Sequence, residues 1–551
     1  MSPSTRLFSF LRHGHRLGVV LSCLAFGLVV ASAPDASAAK KRKPAAAAKK
    51  AAEVEEEEEE EGFEEPSPAE ADSEDEVSTD IETSAEASAE AEVGSGSGLF
   101  ESSLAGGGDE GGDGDALDGG ASGSDFRLGG YVRGDVFAGK LVGLQRGEIK
   151  AAYGELALKA TLKKGDVADA YAEARLQYGL ETERRGLRVD LREAYVTAYL
   201  GPIDVRLGKQ IVVWGRADAF NPTNNITPTD LRVRSPIEDD RRLGNVGARA
   251  FWYLRPFKLE GVWMPLYEPS EIPLAPGLVP PFVLFAPPDY PDGRLDKGLG
   301  AARLHVELPA FEASVSYLYG YAPMPGFRLL GYDPGNSPDE LRVAVARAPY
   351  HHHVFGFDFA TTLSDVIAIR GEAAYRNPVN YQVRRWAPRP DVQYALGLDR
   401  TFGALNVIVQ YLGRYTLDWQ REGSVSEFGL DHPQVRENWT YNVVQSQLPG
   451  VIAGEVAARN QMLFGQLEQI QHIGTARLEL LLAHDTLSLS VLGMANVTTK
   501  EWLVFPKIAY NMADGMTISL GGEYYAGPDG TLFGAIDEYL SAGYAEFRAS
   551  F

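Results

Sequence analysis

Over residues 125–551 the chain alternates between apolar and polar side chains in strand-length segments. In the segment 516–527, for example, Ile518 and Leu520 fall on one face of an extended chain and Ser519 falls on the other. Consecutive side chains of a β-strand point to opposite faces of the sheet, so a period of two is typical of strands with one apolar face. The pattern therefore predicts an all-β fold.

The links between these segments are alternately short and long. The short links are 163–167, 201–202, 255–256, 309–310, 363–364, 403–404, 485–486 and 514–515. The long links are 215–243, 267–296, 323–350, 377–390 and 416–468. Tight turns at one end and long loops at the other are typical of transmembrane β-barrels, whereas a β-sandwich has no reason to sort its loops this way. The alternation predicts a single transmembrane antiparallel β-barrel of about 18 strands over residues 125–551, with about 16 strands as the alternative.

Residues 1–38 have the pattern of a secretory signal peptide, with a basic start, an apolar core at 17–31 and a small-residue cleavage site at 36–38. The one cysteine of the chain, Cys23, lies within this core, where it is either ordinary signal filler or a lipid attachment site. The chain after the signal then has no cysteine and can form no disulfide.

Residues 39–124 form a low-complexity segment, in which positions 51–124 hold 26 acidic residues and no lysine or arginine. Such a segment cannot bury enough apolar surface to fold. We expect a disordered acidic periplasmic arm that acts as a solvated tether or binds a basic partner. The formal net charge of -24 is largely due to this arm, because residues 125–551 hold 43 basic and 49 acidic residues. A nucleic-acid partner is therefore not expected.

The C-terminal stretch AGYAEFRASF places Phe551, Ala549 and Phe547 on one face and Arg548 and Glu546 on the other. A closing barrel strand would turn the aromatic face toward lipid. We interpret Phe551 as the assembly signal for the outer-membrane assembly machinery. After the signal peptide, no segment is long and apolar enough to be a transmembrane helix. These features predict the outer membrane of a Gram-negative cell, where membrane lipid and lipopolysaccharide surround the barrel.

The stretch LREAYVTAYLGPIDVRLGKQIVVWGRADAFNPTNNITPTDL (191–231) contains a REAY strand, a tight turn, an LGKQ strand, the pair WG, and a loop with NP and D. In these features the chain resembles a poorly characterised family of proteobacterial outer-membrane porin-like β-barrel proteins, a domain of unknown function. Similar pieces occur at 262–269, 353–375 and 396–415, so the resemblance covers most of 125–551 and not the acidic arm. It implies a porin-like barrel and leaves the solute open.

The Gly-Pro turn at 201–202 sets the register of the strands 188–200 and 203–214. Pairing 200 with 203 gives three cross-strand pairs: Thr197 with Arg206, Tyr195 with Gly208, and Glu193 with Gln210. The polar members of these pairs share one face, which we assign to the lumen. Lys209 is then directed at lipid, which a bulge near Gly208 or a snorkelling side chain would relieve.

The link 215–243 carries charges of both signs, among them Arg216, Asp218, Asp230 and Arg232. These charges exclude lipid contact, and they suit either an external loop or a loop folded into a water-filled barrel. Its Asn-Pro-Thr-Asn-Asn run favours compact turns over a floppy insertion. We predict a constriction loop that narrows the lumen.

Other strands add polar residues to the inward face, and across the turn at 363–364 Asp358 is predicted to pair with Arg370. The candidates for lining the pore or its constriction are Glu193, Tyr195, Arg206, Gln210, Arg216, Asp218, Asp230, Arg232, Asp358, Arg370 and Glu372. Their mixed charges suggest a polar or zwitterionic path rather than a strong ion filter. The alternative is that they only bond one another and fill a wide barrel.

The run His351–His353 is the one candidate for a metal site. Consecutive strand residues point to opposite faces, so only His351 and His353 can converge, and no carboxylate or cysteine partner is evident. We expect a His-rich strand end and no metal or cofactor. The other histidines lie in no motif that activates a serine, so no catalytic residue and no enzyme activity are predicted. The segment 451–474 is predicted to include a short amphipathic helix at the barrel mouth.

Three functions fit such a barrel. The one we predict is a channel that passes a small solute through a loop-narrowed lumen. The second is a carrier of hydrophobic molecules, in which the stretch EIPLAPGLVPPFVLFAPPDYP (271–291) forms an apolar external funnel. The third is a non-transporting surface or scaffold barrel. The solute, the direction of transport and the formation of a homo-oligomer stay open.

Deletion of residues 39–124 should leave barrel assembly intact, because no strand is predicted there. The measurement is the difference in gel migration between heated and unheated outer membranes, with the full-length chain as the control. Loss of the heat-modifiable band in the deletion would contradict this expectation.

Overall fold

A computed structural model describes residues 125–140, 147–181, 184–218, 220–274, 279–294, 297–363, 367–423 and 442–551. The predicted signal peptide (1–38) and acidic arm (39–124) lie outside the described residues. The alternating segments of the sequence form strands in this part of the chain, because extended backbone lets apolar side chains face lipid while polar ones face inward.

The strands, in chain order, are β1 Asp125–Lys140, β2 Gly147–Lys164, β3 Ala168–Glu181, β4 Arg184–Tyr199, β5 Ile203–Gln210, β6 Asn245–Leu254, β7 Phe257–Met264, β8 Val283–Phe285, β9 Leu299–Leu308, β10 Phe311–Tyr321, β11 Gly326–Asp333, β12 Arg342–Ala348, β13 His351–Thr362, β14 Ala368–Pro378, β15 Asp391–Phe402, β16 Leu405–Thr416, β17 Ile470–Leu482, β18 Leu487–Asn496, β19 Glu501–Ala513, β20 Met516–Ala526 and β21 Ala542–Ser550. The described α-helices are α1 Asn442–Leu463 and α2 Leu532–Leu540, and short 3-10 helices cover Glu238–Arg241 and Pro338–Glu340.

Eighteen of these strands form one antiparallel sheet, which closes where β1 pairs with β21. Closure leaves no strand edge with unpaired backbone groups, which is what a sheet in lipid requires. The predicted single antiparallel barrel is thus confirmed, with 18 strands. The predicted short links lie at one end, and the long links 211–244, 265–298, 322–350 and 417–469 lie at the other. We call these the short-link end and the long-link end.

The two faces of the wall differ as the alternation predicts. On β1, Arg133 and Asp135 are buried toward the inside, at 2% and 1% exposure, while Val132 and Val136 are exposed on the outside. Outward Leu, Val, Phe and Tyr side chains recur on the other barrel strands. A closed barrel with an apolar outer surface is the architecture of bacterial outer-membrane proteins, and the predicted outer-membrane location is confirmed.

The histidine run lies at the start of β13. His352 is buried toward the inside, whereas His351 and His353 share the outward phase and lie against rings of β10. The His351 ring centre is 3.8 Å from that of Tyr321, and the Tyr317 hydroxyl is 2.9 Å from His353 Nδ1. These rings are part of an aromatic group near the long-link end, where barrels carry aromatic girdles.

The long links carry structure of their own. β8, β11 and β12 form a separate three-stranded sheet, and α1 packs on it through Leu448 and Ile452. The prediction of a helix over part of 451–474 is partly wrong, because α1 spans Asn442–Leu463 and β17 begins at Ile470. The sequence from Ile470 alternates, with Gln471 buried inside and Ile470 exposed, so it continues the wall. No helix among the described residues is long and apolar enough to cross a membrane.

The C-terminal residue completes the pairing of the first and last strands. The backbone N–H of Phe551 donates to Gly130 O at 2.9 Å, and Gly130 N–H donates to Phe551 O at 2.8 Å. The Phe551 and Phe547 side chains are exposed on the outer face, as predicted, and Glu546 is buried inside.

Phe551→Ala should slow assembly into the membrane, because it removes the outward aromatic side chain while keeping the backbone pairs that close the barrel. The measurement is the rate at which newly made chains acquire the folded, heat-modifiable form in cells. Phe402→Ala is the matched control, since Phe402 is an exposed aromatic residue at the short-link end of an internal strand. Equal rates for the two variants would argue against a special role for the terminus.

Candidate functional site

The link between β5 and β6 leaves the barrel wall earlier than predicted. β5 ends at Gln210 and not at 214, and Val212 and Trp214 turn into the interior, where each is 1% exposed. Gly215 follows with a φ of 110°, and a Cβ there would collide with the Asn221 side chain. A glycine is therefore required at the point where the chain turns.

Trp214 holds the start of this loop against one side of the barrel. Its indole Nε1–H donates to Glu260 Oε1 at 3.0 Å. The apolar cluster around it joins loop residues to β7, β9, β10, β13 and β14, and consists of Val212, Trp214, Ile226, Val262, Met264, Leu299, Leu318, Val354 and Ala374. Burial of this apolar surface stabilises the loop without requiring a specific direction of contact.

A second apolar cluster holds the loop against β15–β20. Loop residues Ala217 and Phe220 pack there with Leu412, Phe505 and Phe533. Phe533 belongs to α2, whose C-terminal carbonyls accept hydrogen bonds from the Lys150 ammonium group at 2.6–3.0 Å. A cation at a helix C-terminus is favourable for the helix dipole, so this helix is tied to β2 as well.

Glu372 on β14 binds the backbone of the loop. Its carboxylate accepts N–H groups from Arg216 at 3.0 Å, from Ala217 at 3.2 Å and from Thr223 at 2.5 Å. The Arg216 side chain pairs with Asp358 on β13 at 2.9 Å and with Glu312 on β10 at 2.5 Å. Of the predicted candidates, Arg216, Asp358 and Glu372 are therefore brought together.

The predicted pair of Asp358 with Arg370 is wrong. Asp358 lies opposite Glu372, and Arg370 lies opposite Ala360. The turn after β13 is longer than predicted, which shifts the register by two residues and keeps each side chain on its face. Arg370 instead pairs with Asp399 at 3.2 Å.

Asp240 is the most strongly held carboxylate of the loop. It accepts from Arg133 on β1 at 2.5 Å and from Arg175 on β3 at 2.6 Å. Burial alone would raise the pKa of Asp240, but Arg133, Arg175 and Arg192 outweigh burial and hold that pKa well below its usual range. The stability that this carboxylate contributes is therefore present above its ordinary pKa and is lost only as pH falls through the lowered one.

Four further ion pairs tie the loop to three other strands. Arg192 on β4 donates to the Asp239 carboxylate. Arg234 and Arg241 pair with Glu523 on β20 at 3.0 and 3.4 Å, and Asp218 pairs with Arg477 on β17 at 3.5 Å.

The strands around the predicted Gly-Pro turn have the predicted register. Tyr195 lies opposite Gly208 and Thr197 opposite Arg206. The Arg206 guanidinium carbon lies 4.2 Å from the centre of the Tyr195 ring, a cation–π contact.

The two remaining candidates on these strands lie at the start of the loop. The carboxylate of Glu193 accepts the Ile211 N–H at 2.8 Å. Gln210 is buried, and its amide donates to Gly247 O at 3.2 Å. Both residues therefore support the point at which the chain leaves the wall.

Lys209 reaches the outer face, as the alternation predicts. Its ammonium group donates to Leu191 O at 2.6 Å and lies 3.8 Å from Asp190. The predicted bulge exists on β4, where Arg192 is the extra residue in the pairing with β3, and not at Gly208. The bulge gives Lys209 backbone and carboxylate partners at the lipid side.

Asp230 and Arg232 face other loops. Arg232 pairs with Asp230 at 2.7 Å and with Glu271 at 3.3 Å, and Glu271 also pairs with Arg347 on β12 at 2.5 Å. These two candidates therefore connect the loop to the long-link end.

The sequence alone did not identify the loop residue Trp214, nor the wall residues Arg133, Arg175 and Glu260 that bind the loop. The strand alternation places Arg133, Arg175 and Glu260 on the inner face of β1, β3 and β7. The alternation does not indicate which loop residue each of them binds. Among the described residues, no group of three or more His, Cys, Asp or Glu side chains is arranged to hold a metal ion.

Residues 20–237 match the model of a protein family of unknown function, DUF1302. The predicted family resemblance is confirmed. The match contains the whole stretch 191–231 and covers less than half of the chain. The predicted extent of the resemblance is wrong, because the match includes the acidic arm and ends before the later similar pieces. No curated protein is significantly similar to the chain.

The solved structures that match the chain do so at very low identity, and one of them, OpdK, is an outer membrane protein. OpdK from Pseudomonas aeruginosa is 8% identical with a TM-score of 0.45, and the match covers 78% of this chain and 98% of that one. Acinetobacter baumannii OccAB3 has the same values, and P. aeruginosa OccK3 (OpdO) is 10% identical with a TM-score of 0.43, covering 78% of this chain and 96% of that one. The chain forms a porin-like barrel, as its own strand pairing shows.

Asp240→Ala should destabilise the folded barrel by about 3–5 kcal/mol, since it leaves the buried guanidinium groups of Arg133 and Arg175 short of a counter-charge. The measurement is urea unfolding of the purified protein, followed by loss of the unheated, fast-migrating gel band. Asp292→Ala is the control, because Asp292 is an exposed aspartate of another long link. Equal midpoints for the two variants would show that the arginines find other partners.

Proposed function

We propose that the protein is an outer-membrane porin-like channel that passes a small polar solute through a lumen narrowed by loop 215–243. The observation that carries this proposal is the set of strands to which the loop is tied. Asp240 pairs with β1 and β3, whereas Arg216 pairs with β13, which lies on the far side of the barrel from β1. A segment joined to facing walls of a closed barrel has to cross its interior.

The width of the barrel supports the same proposal. Barrels of about 16–18 strands are too wide for wall side chains to fill and leave an aqueous channel. A loop across such an interior leaves a smaller path, which sets the size of the solute. The lipid and lipopolysaccharide of the outer membrane would surround the apolar face, and Phe551 would serve recognition by the assembly machinery.

The polarity of the path is set by inner-wall residues that the loop does not fully cover. Tyr195, Arg206, Arg370 and Asp399 lie on the inner wall toward the short-link end and are only partly covered. Their mixed charges suit a polar or zwitterionic solute more than a simple ion. A non-transporting barrel would share this fold, so conductance separates the two functions.

Replacement of residues 218–240 by a short Gly/Ser turn should raise single-channel conductance in planar bilayers, because it removes the segment across the lumen. Asp218→Ala should shift ion selectivity, and the shift should persist at moderate salt, since charges in a confined path are weakly screened. Replacement of the hairpin turn 334–340 between β11 and β12 is the control and should leave conductance unchanged. Unchanged conductance in a folded 218–240 replacement would overturn the constriction.

A further inference from the structure

The long-link end contains a cavity of about 220 Å³ whose wall is almost entirely apolar. Its wall comes from the link 265–298, the sheet of β8, β11 and β12, both α-helices and the loop 215–243. Representative lining residues are Ile272, Phe282, Phe285, Val345, Ile452 and Ile536. The stretch 271–291, predicted as an apolar funnel, thus supplies one side of this cavity.

An apolar cavity of this size favours an apolar ligand over water. The cavity is partly open to solvent, and small-molecule sites are typically concave and mostly apolar. Water is a poor occupant because it needs polar partners, and a smaller apolar cavity of roughly 150 Å³ is known to stay dry and to bind benzene.

The charges on the cavity wall are mostly engaged with one another. Arg234 and Arg241 both pair with Glu523, and Arg459 pairs with Glu455 at 2.9 Å. An anionic ligand would lose its hydration without gaining an unpaired cationic group, which is costly in an apolar site. The site therefore selects against anions.

Two polar atoms of lining residues have no hydrogen-bond partner within the described part of the chain, the Nε–H of Arg234 and Oε2 of Glu455. Arg234 is 2% exposed, and its Nε–H is a donor, whereas Glu455 Oε2 is an acceptor. Buried donors are nearly always satisfied. A ligand oxygen that accepts this N–H would complete its bonding.

We infer that this cavity is a binding site for a small, neutral, mainly apolar molecule that carries one hydrogen-bond acceptor, such as a ketone, ester or alcohol. The inference does not rest on the channel function, because binding can be measured without conductance. It gives the alternative of a carrier for hydrophobic molecules a defined site, next to loop residues Leu231 and Val233.

The test uses the full-length protein in lipid nanodiscs, with empty nanodiscs as the reference for partitioning. Three ligands of similar size are compared by calorimetry: acetophenone, which is neutral with one acceptor, ethylbenzene, which has none, and benzoate, which is charged. We expect acetophenone to bind most tightly and benzoate at least about tenfold more weakly, a difference of about 1.4 kcal/mol. Absence of acetophenone binding, or tighter binding of benzoate, would overturn the inference.

Two variants locate the binding. Val283→Trp fills the cavity and should weaken acetophenone binding by at least about tenfold, about 1.4 kcal/mol. Leu284→Trp is the matched control, because the neighbouring Leu284 on β8 points away and is 51% exposed. Phe285→Ala enlarges the cavity and should favour 2-acetylnaphthalene over acetophenone, which tests the site even if the filled variant misfolds. Equal binding by Val283→Trp and Leu284→Trp, or no change of size preference in Phe285→Ala, would place the ligand elsewhere.

Discussion

The ion pairs between the loop and the inward charges of the wall are the interaction on which the interior of the barrel depends. Arg133 and Arg175 are buried, and a buried charge is costly unless a partner compensates it. The wall supplies part of this compensation, since Glu155 lies 3.0 Å from Arg133 and Glu173 lies 2.6 Å from Arg175. Asp240 reaches both arginines from the loop. The buried arginines of the wall and Asp240 of the loop therefore stabilise each other.

Apolar and polar contacts have different parts in holding this loop. Trp214 and Phe220 bury apolar surface against different groups of strands. This burial stabilises the position of the loop, although apolar contacts do not require a particular orientation of the groups. Glu372 then fixes the backbone by accepting three N–H groups, each of which requires a defined geometry. The combination accounts for a long loop that is nearly all buried and that has almost no regular secondary structure.

Most of the wall could be predicted from the sequence, because strand phase and link length are local properties. The Gly-Pro turn fixes the pairing of Tyr195 with Gly208, whereas the prediction for the turn after β13 gives Asp358 a partner two residues away from the observed one, Glu372. That error kept each side chain on its face, since the side-chain period of a strand is two. The partners of Asp240 could not be predicted, because Arg133 lies 107 positions away in sequence and meets it only across the closed barrel.

The apolar cavity and the loop 215–243 share residues. Leu231, Val233, Arg234 and Arg241 line the cavity, and the last two also pair with Glu523 on the wall. A molecule in the cavity would rest on the same segment that narrows the proposed path. Suppose that the bound molecule stabilises one position of this segment. A segment held in that position then binds the molecule more tightly by the same free energy, because linkage is reciprocal. Passage of a polar solute and occupancy of the apolar site would then be coupled through Arg234 and Arg241, without any contact between the two molecules.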